Sequence, residues 1–243
     1  MSSGWWRTYF GDDFYQLHVD LFPEEVSRRE VAGMIELLAL PQDARILDVP
    51  CGWARHTTLL REAGFDAVGA DLSWDLLRRA DRSQRLPLAA ADIRALPFAD
   101  AAFDAAVNVF TSLGLFLTDD EDVCALREIR RVLRPGGWFL LESMHRDEII
   151  GAYAVRDRWI LPDGTEVRVR RRFDPVRGIS YERLRWRRGD DGGEKRHALR
   201  LRTATEIDAL VRAAGFRDLQ YFGDWDGSPL SHDSESLILV ARA

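Results

Sequence analysis

Two carboxylates and a turn that contains one glycine have the residue types and spacing of a nucleoside-binding site. Asp48 lies in the apolar run 46–49, and Gly52 lies in the turn that follows it. Asp71 ends a second apolar run, residues 67–70, and lies roughly 20 residues past the turn, where nucleotide-binding folds place an acid for ribose hydroxyls. Because ligands bind at the carboxyl ends of parallel strands, we expect these groups to share one site.

A strand, a turn, a helix and a second strand must position these groups. Residues 46–49 and 67–70 are short apolar runs that suit buried parallel strands. Residues 55–63 form the predicted helix between them, and Gly64 is its expected C-terminal stop. This order predicts a βαβ unit that ends on Asp71.

The turn is poor in free backbone N–H groups, which bears on the kind of nucleotide. It reads Asp48-Val49-Pro50-Cys51-Gly52-Trp53-Ala54, with a single glycine, whereas a dinucleotide fingerprint has three. A pyrophosphate needs several free N–H groups, and Pro50 has none. The turn therefore disfavours phosphate binding.

The same stretch resembles motif I of the class I S-adenosylmethionine-dependent methyltransferases, in which an acid is followed by glycines at alternate positions. Asp48 and Gly52 match this motif, and Pro50 and Ala54 stand where glycines are usual. A second resemblance is the segment 133–142, a helix end reading Leu-x-Pro-Gly-Gly followed by an apolar strand. With Asp71 and Asp92 in order, the resemblance extends from Arg45 to Glu142.

The resemblance implies S-adenosylmethionine as the cofactor and S-adenosylhomocysteine as the product. Asp71 would hold the ribose, Asp92 and Ile93 the adenine, Gly52 and Asn108 the methionine amine, and Arg55 the methionine carboxylate. The cofactor-binding residues that it implies are Tyr15, Asp48, Cys51, Gly52, Arg55, Asp71, Leu72, Asp92, Ile93, Asn108 and Phe110.

The acceptor side of the implied site is less defined. His145 follows the fifth predicted strand, and its ordinary pKa near neutrality suits removal of a proton from an acceptor. Methyl transfer often needs no base, so His145 could instead cap the next helix or bind a carbonyl. The predicted acceptor contacts are Tyr9, Ser112, His145 and Trp225. Ring faces such as those of Tyr9 and Tyr15 could also stabilise the sulfonium.

The chain divides into three predicted parts. Residues 1–40 are rich in aromatic side chains and are expected to cover the cofactor or to act as a packing arm. Residues 41–157 and 204–243 are expected to form an α/β, Rossmann-like, doubly wound and mostly parallel sheet with an antiparallel last strand. Residues 158–203 are expected to form a small inserted antiparallel β-sheet for acceptor binding or dimerisation.

The inserted segment alternates with period two, which predicts one apolar and one arginine face. The apolar face comprises Val167, Val169, Leu184, Trp186, Leu199 and Leu201, and the other face comprises Arg168, Arg170, Arg172, Arg183, Arg185, Arg187, Arg200 and Arg202. Residues 156–202 carry a net charge of +7 and the remainder −13. The arginine face could be solvated, contact a second subunit as in a homodimer, or bind an anionic substrate. Nucleic acid is the least favoured partner, because the whole protein is acidic.

The composition limits the class of protein and the cellular compartment that we expect. The 243 residues can bury a full core, and the net charge is −6. Two cysteines and no metal-ligand spacing predict neither a disulfide framework nor a metal. We find no signal peptide and no spanning segment, so we expect a cytoplasmic protein.

The sequence therefore predicts a methyltransferase of the bacterial small-molecule type. Its acceptor would be a nitrogen, oxygen or carbon atom of a metabolite or natural-product intermediate. The alternatives are a nicotinamide-dependent oxidoreductase and a non-catalytic nucleoside-binding module.

Overall fold

A seven-stranded mixed sheet and a four-stranded antiparallel sheet organise the chain. The computed structural model describes residues 4–80, 85–110 and 112–243, so residues 1–3 of the predicted covering segment lie outside it. In chain order the strands are β1 (Arg45–Asp48), β2 (Asp66–Asp71), β3 (Leu88–Ala90), β4 (Phe103–Asn108), β5 (Leu133–Met144), β6 (Arg156–Ile160), β7 (Glu166–Asp174), β8 (Ile179–Arg188), β9 (Asp191–Arg200), β10 (Arg217–Phe222) and β11 (Ser236–Arg242). The helices are α1 (Trp6–Tyr9), α2 (Asp12–His18), α3 (Glu24–Leu38), α4 (Arg55–Glu62), α5 (Trp74–Leu77), α6 (Asp119–Val132), α7 (Arg146–Gly151) and α8 (Ala204–Ala213).

The large sheet has the order β10-β11-β5-β4-β1-β2-β3. Strands β1 to β5 pair in parallel, whereas β11 runs antiparallel to both β5 and β10. The predicted α/β fold, with its antiparallel last strand and added antiparallel sheet, is confirmed. The strand order reverses direction between β1 and β4, and ligands bind in the crevice outside the strand ends at such a point.

The central strands are buried on both faces because helices cover both sides of the sheet. On one side, α3 and α4 pack over Ile46 and Val107. On the other side, α6 and α8 pack over Leu47 and Phe139. Helix α8 begins with a capping box between Thr203 and Glu206, which satisfies its first free N–H groups. This packing fixes the carboxyl ends of β1, β2 and β4 at one edge.

The four-stranded sheet has the order β6-β7-β8-β9 and turns its apolar face toward the N-terminal helices. Val167, Val169 and Leu184 are buried in one cluster with Leu17 of α2. Strand β6 adds an edge that period-two alternation did not predict. Strand β9 begins at Asp191 because Arg188 and Asp191 already pair across a two-residue turn.

The predicted place of Arg202 on the arginine face was wrong. Strand β9 ends at Arg200, so strand alternation no longer governs the next residues. The Arg202 side chain is only 3% exposed, and its guanidinium pairs with Asp119 and with buried Asp122 of α6. The carbonyl of Gly114, within the β4–α6 connection, accepts the backbone N–H of Arg200 at 3.0 Å. These contacts attach the end of β9 to the large sheet.

The outer face of the four-stranded sheet carries the predicted arginines of β7 and β8, whereas Arg200 of β9 pairs with Asp119 of α6. Glu166 pairs with Arg168, and Glu194 pairs with Arg183 and Arg185. Surface ion pairs of this kind contribute little to stability. Whether this face is solvated, contacts a second subunit or binds an anionic substrate stays a prediction.

Candidate active site

The turn after β1 is held by its own backbone and by Asp48. Buried Asp48 accepts the N–H and the hydroxyl of Thr57, at 3.0 and 2.6 Å, and so fixes the first turn of α4. Burial raises the pKa of the Asp48 carboxyl above its ordinary value. The N–H groups of Val49, Cys51 and Ala54 all donate to backbone carbonyls. Together with Pro50, these residues leave the turn few amides for a diphosphate.

Two residues of this turn have left-handed backbone angles. Gly52 has φ of 55°, and a Cβ built on it meets nothing within 4 Å, so its α-carbon faces open space. Ala54, which replaces a glycine of the usual motif, has φ of 63° and is fully buried. The backbone angle at Ala54 therefore explains why glycine is usual there.

Asp71 lies at the tip of β2 and joins two loops. One carboxylate oxygen accepts the N–H of Gly52 at 2.8 Å, and the other accepts the N–H of Ser73 at 2.7 Å. Burial raises its pKa to about 6, with a further contribution from Asp48. Each carboxylate oxygen retains an acceptor direction, which is what a ribose with two hydroxyls requires.

Asp92 follows β3 and pairs with Arg94. Its Oδ1 accepts from the backbone N–H and Nε of Arg94, both at 3.0 Å, and its Oδ2 accepts from Nη2 at 2.7 Å. These hydrogen bonds hold the pKa of Asp92 below its ordinary value. The Arg94 guanidinium in turn lies over the rings of Phe116 and Trp6, at 4.6 and 5.5 Å from their centroids. Oδ2 keeps one lone pair for a further donor such as an adenine amino group.

A cavity of about 620 Å³ opens over these strand tips. Its floor is formed by the turn after β1, the ends of β2 and β4, and Asp92. Its sides are formed by the N-terminal helices α1 and α2 and by α7, and its remaining wall by β6 to β9. We call the cavity-facing residues of β6 to β9 the sheet wall. The volume lies within the range of small-molecule and cofactor sites, roughly 300 to 1,000 Å³.

Most of the predicted site residues border this cavity. They are Tyr9, Cys51, Gly52, Arg55, Asp71, Leu72, Asp92, Ile93, Phe110 and Ser112. Arg55 is already engaged, because its guanidinium pairs with Glu30 and donates to Ser27 at 3.0 Å. Phe110 has φ of 64°, an unusual backbone angle for an aromatic residue, and its N–H donates to Glu142.

The other predicted site residues lie outside the described cavity lining. Asp48 is behind the turn, and Asn108 donates its side-chain N–H to the Val49 carbonyl at 2.8 Å. Tyr15 packs edge-on against Trp53. Trp225 is buried and contacts Gly33 of α3. Asn108 and Tyr15 thus contact residues that line the cavity, whereas Trp225 packs in the core cluster with α3.

His145 also lies away from the cavity surface. Its side chain is 3% exposed, and Nδ1 lies 3.0 Å from the carbonyl of Ser234. Nε2 lies 3.8 Å from Asp147. His145 stands at the N-cap of α7 without a side-chain capping hydrogen bond, and its ring packs against the Ser234 carbonyl beyond the end of β5.

Sequence reasoning missed several polar residues that border the cavity. They include His18, Glu148, Arg171, Glu182 and His197. The strand alternation held a signal for three of them, since Arg171, Glu182 and His197 share the parity of the apolar face in their strands. The pairing register that brings these three side by side was not readable from the sequence.

Comparison with known proteins identifies the class. A family model described as a methyltransferase domain matches residues 46–137. The Bacillus subtilis (strain 168) protein named "Putative methyltransferase YqeM" is 32% identical over 222 residues, which cover 84% of this chain and 86% of that protein.

Solved structures agree with this class. An S-adenosylmethionine-dependent methyltransferase from Clostridium acetobutylicum superposes with a TM-score of 0.82 at 17% identity and covers 95% of this chain and 98% of its own. The S-adenosylmethionine-bound amino pentose methyltransferase CalS10 from Micromonospora echinaspora has a TM-score of 0.68 at 27% identity, with 91% of this chain and 92% of its own covered.

The chain belongs to the class I S-adenosylmethionine-dependent methyltransferases. The resemblance seen in the sequence is thereby confirmed, and the nicotinamide and non-catalytic alternatives are not supported. Within the described ranges of the chain, we find no helix with the length and apolar character to cross a bilayer. The same ranges contain no His, Cys, Asp and Glu cluster suited to a metal ion.

Proposed function

We propose that this enzyme methylates a nitrogen, oxygen or carbon atom of a small molecule held between the strand tips and the sheet wall. The observation that carries the proposal is the cavity itself. It brings Asp71 and Asp92 at its floor together with the inner face of β7 to β9 in one space. The inserted sheet is thereby proposed as an acceptor-binding element.

The residues at the floor fit the cofactor by their chemistry. S-adenosylmethionine supplies a methyl group bonded to a sulfonium, so the protein has mainly to bind, orient and exclude water. We assign Asp71 to the ribose hydroxyls, Asp92 and the N–H of Ile93 to the adenine, and the open side of Gly52 to the methionine part. Arg55 would bind the methionine carboxylate only if its guanidinium can contact that carboxylate and Glu30 at the same time.

Aromatic rings line the proposed reaction space. Tyr9 and Phe10 contact each other edge-on, with ring centroids 5.1 Å apart, and Phe22 contacts Phe110 at 4.6 Å. All four border the cavity. Ring faces attract a cation, and the attraction grows when water is excluded. These rings would therefore favour the positively charged cofactor over its neutral product.

An amino or hydroxyl group is the acceptor that we favour. CalS10, an amino pentose methyltransferase, aligns over nine-tenths of both chains. The sheet wall also offers polar groups, such as Glu182 and Ser180, among apolar ones. Cys51 and Cys124 are free thiols, which supports a reducing compartment such as the cytoplasm.

Calorimetry followed by mass spectrometry tests the proposal. The protein should bind S-adenosylhomocysteine and give no heat with NAD⁺ or NADH. Incubation with methyl-labelled S-adenosylmethionine and a panel of amino sugars and hydroxylated aromatic compounds should add one labelled methyl group to at least one of them. Absence of S-adenosylhomocysteine binding would overturn the assignment of the floor residues.

A further inference from the structure

A row of three charged or titratable side chains crosses the sheet wall. Arg171 of β7 lies opposite Glu182 of β8, and Glu182 lies opposite His197 of β9. All three side chains border the cavity, on the same face as buried Val169 and Leu184. Polar groups on a buried sheet face are costly unless they are paired or used. The row therefore calls for a function.

Arg171 and Glu182 form an ion pair with each other, whereas one ring nitrogen of His197 has no hydrogen-bond partner in the described chain. Arg171 Nε donates to Glu182 Oε2 at 2.6 Å. His197 Nδ1 lies 3.6 Å from Glu182 Oε1, slightly beyond hydrogen-bond length, and within the described chain it has no hydrogen-bond partner. Catalytic hydrogen bonds are often this long before a substrate binds.

The exposed part of His197 faces the cavity. Its side chain is 22% exposed, while Nδ1 itself is sealed from solvent, so the cavity reaches the remainder of the ring. The rings of Tyr9 and Trp5 hold the imidazole from the N-terminal side, with centroids 5.0 and 5.7 Å away. The imidazole is thus fixed between a carboxylate and two aromatic rings.

We propose that His197 is the general base of this enzyme and that Glu182 positions it. This inference rests on the proposed function, because it requires an acceptor in the cavity. As the acceptor nitrogen or oxygen bonds to the methyl carbon, the S–C bond electrons return to sulfur, and the acceptor proton passes to His197 Nε2. Glu182 stabilises the imidazolium that forms, and Arg171 holds Glu182 in place.

The surrounding charges keep His197 able to accept a proton. Burial lowers its pKa, Glu182 opposes that shift, and His18 of α2 and Arg171 of β7 add to it. From α1, Tyr9 contributes a neutral hydroxyl, because burial raises its pKa. His18 donates from Nδ1 to the Phe14 carbonyl at 2.8 Å if it carries its proton there. The net effect is a neutral His197 near pH 7.

Nuclear magnetic resonance of the ¹⁵N-labelled full chain, saturated with S-adenosylhomocysteine, tests the arrangement without an acceptor. The His197 signals are assigned by their loss in His197→Gln, with His232→Gln as the matched exposed-histidine control. At pH 7 His197 should be neutral with its proton on Nδ1. Glu182→Gln should lower its pKa, whereas Glu194→Gln, on the outer face of the same sheet, should not. A protonated ring, or a proton on Nε2, would overturn the proposal.

Turnover gives the second arm, with the panel compound that the wild type methylates fastest. His197→Gln should lower kcat by about 10² to 10⁴, the usual contribution of a general base, while S-adenosylhomocysteine affinity stays within about twofold. Glu182→Gln should move the acidic limb of the kcat/KM profile to lower pH. Unchanged kcat in His197→Gln, or methylation of carbon acceptors alone, would contradict the base. If the wild type itself did not bind S-adenosylhomocysteine, that result would instead contradict the proposed function.

Discussion

Asp71 accepts the backbone N–H of Gly52 at 2.8 Å and thereby ties the tip of β2 to the turn after β1. Its second oxygen accepts the N–H of Ser73, at the start of α5. One carboxylate thus sets the shape of two loops while it borders the cavity. We therefore expect Asp71 to determine both the binding of the cofactor and the conformation of the turn after β1.

Removal of the Asp71 carboxylate should weaken cofactor binding. We expect Asp71→Ala to raise the Kd for S-adenosylhomocysteine about a hundredfold, roughly 3 kcal/mol, because two hydrogen bonds to a charged group are lost. Titration calorimetry measures the change. Asp66→Ala, at the exposed start of the same strand, is the matched control and should keep wild-type affinity. Equal affinities for the two variants would refute the ribose assignment.

The same carboxylate predicts how affinity depends on pH. Burial raises the pKa of Asp71 to about 6, so at pH 5 only about a tenth of the unliganded protein carries the ionised group. We expect S-adenosylhomocysteine to bind about tenfold more weakly at pH 5 than at pH 7.5. Asp71→Asn should bind weakly at both values, and a parallel pH dependence in that variant would assign the effect to another group.

The same carboxylate should make the unliganded protein more stable as pH falls, whereas it makes cofactor binding weaker. A carboxyl whose folded pKa lies above its unfolded value near 3.8 binds a proton more tightly in the folded protein. Its contribution to stability therefore increases as pH falls from about 6 toward 4. Comparing urea unfolding of unliganded wild type and Asp71→Asn across this window separates the two effects.

The floor of the cavity could be predicted from the sequence because each of its elements has a signal within a few neighbouring residues. Asp71 and Asp92 follow short apolar runs, and parallel strands in one sheet place such ends at a common edge. Arg202 shows the limit of local patterns. Arg202 continues the alternation of β9 in sequence, but the strand ends at Arg200 and the chain turns toward α6.

The residues of the sheet wall could not be predicted from the sequence, because strand register and long-range packing determine which side chains reach the cavity. Arg171 lies in a run of three arginines, and its pairing with Glu182 follows from the register of β7 with β8. His197 borders the cavity because the N-terminal helices close over β9, a contact between residues far apart in the chain. His145 had the better sequence position for a base, but it packs beneath the loop that contains Ser234.

Gly114 should tolerate no side chain, because the end of β9 approaches it closely. A Cβ on Gly114 would lie 2.3 Å from the carbonyl oxygen of Arg200. We expect Gly114→Ala to destabilise the fold by about 3 kcal/mol, from crowding added to an unfavourable backbone angle. Gly136→Ala is the matched control, since Gly136 also has positive φ but an open Cβ position. Urea unfolding of the two variants should therefore separate crowding from backbone strain, and equal losses would exclude the close approach.

The buried pair of Arg202 with Asp122 should be the ion pair whose disruption costs most. Asp122 accepts the N–H of Gly114 at 3.1 Å through one oxygen and pairs with Arg202 through the other. Burial raises the pKa of Asp122, and Arg202 counteracts that shift. Arg202→Met should therefore destabilise the protein by about 3 to 5 kcal/mol, because it leaves a buried carboxylate without its partner.

A second replacement distinguishes the pairing from simple packing. Adding Asp122→Asn to Arg202→Met removes the unpaired charge and keeps an acceptor for Gly114, so it should restore part of the lost stability. Arg212→Met, which breaks the exposed pair with Asp208, should change the unfolding midpoint little. If the double variant were less stable than Arg202→Met alone, the carboxylate would have to be stabilised by other groups. The ion pair would then not be what attaches the inserted sheet to α6.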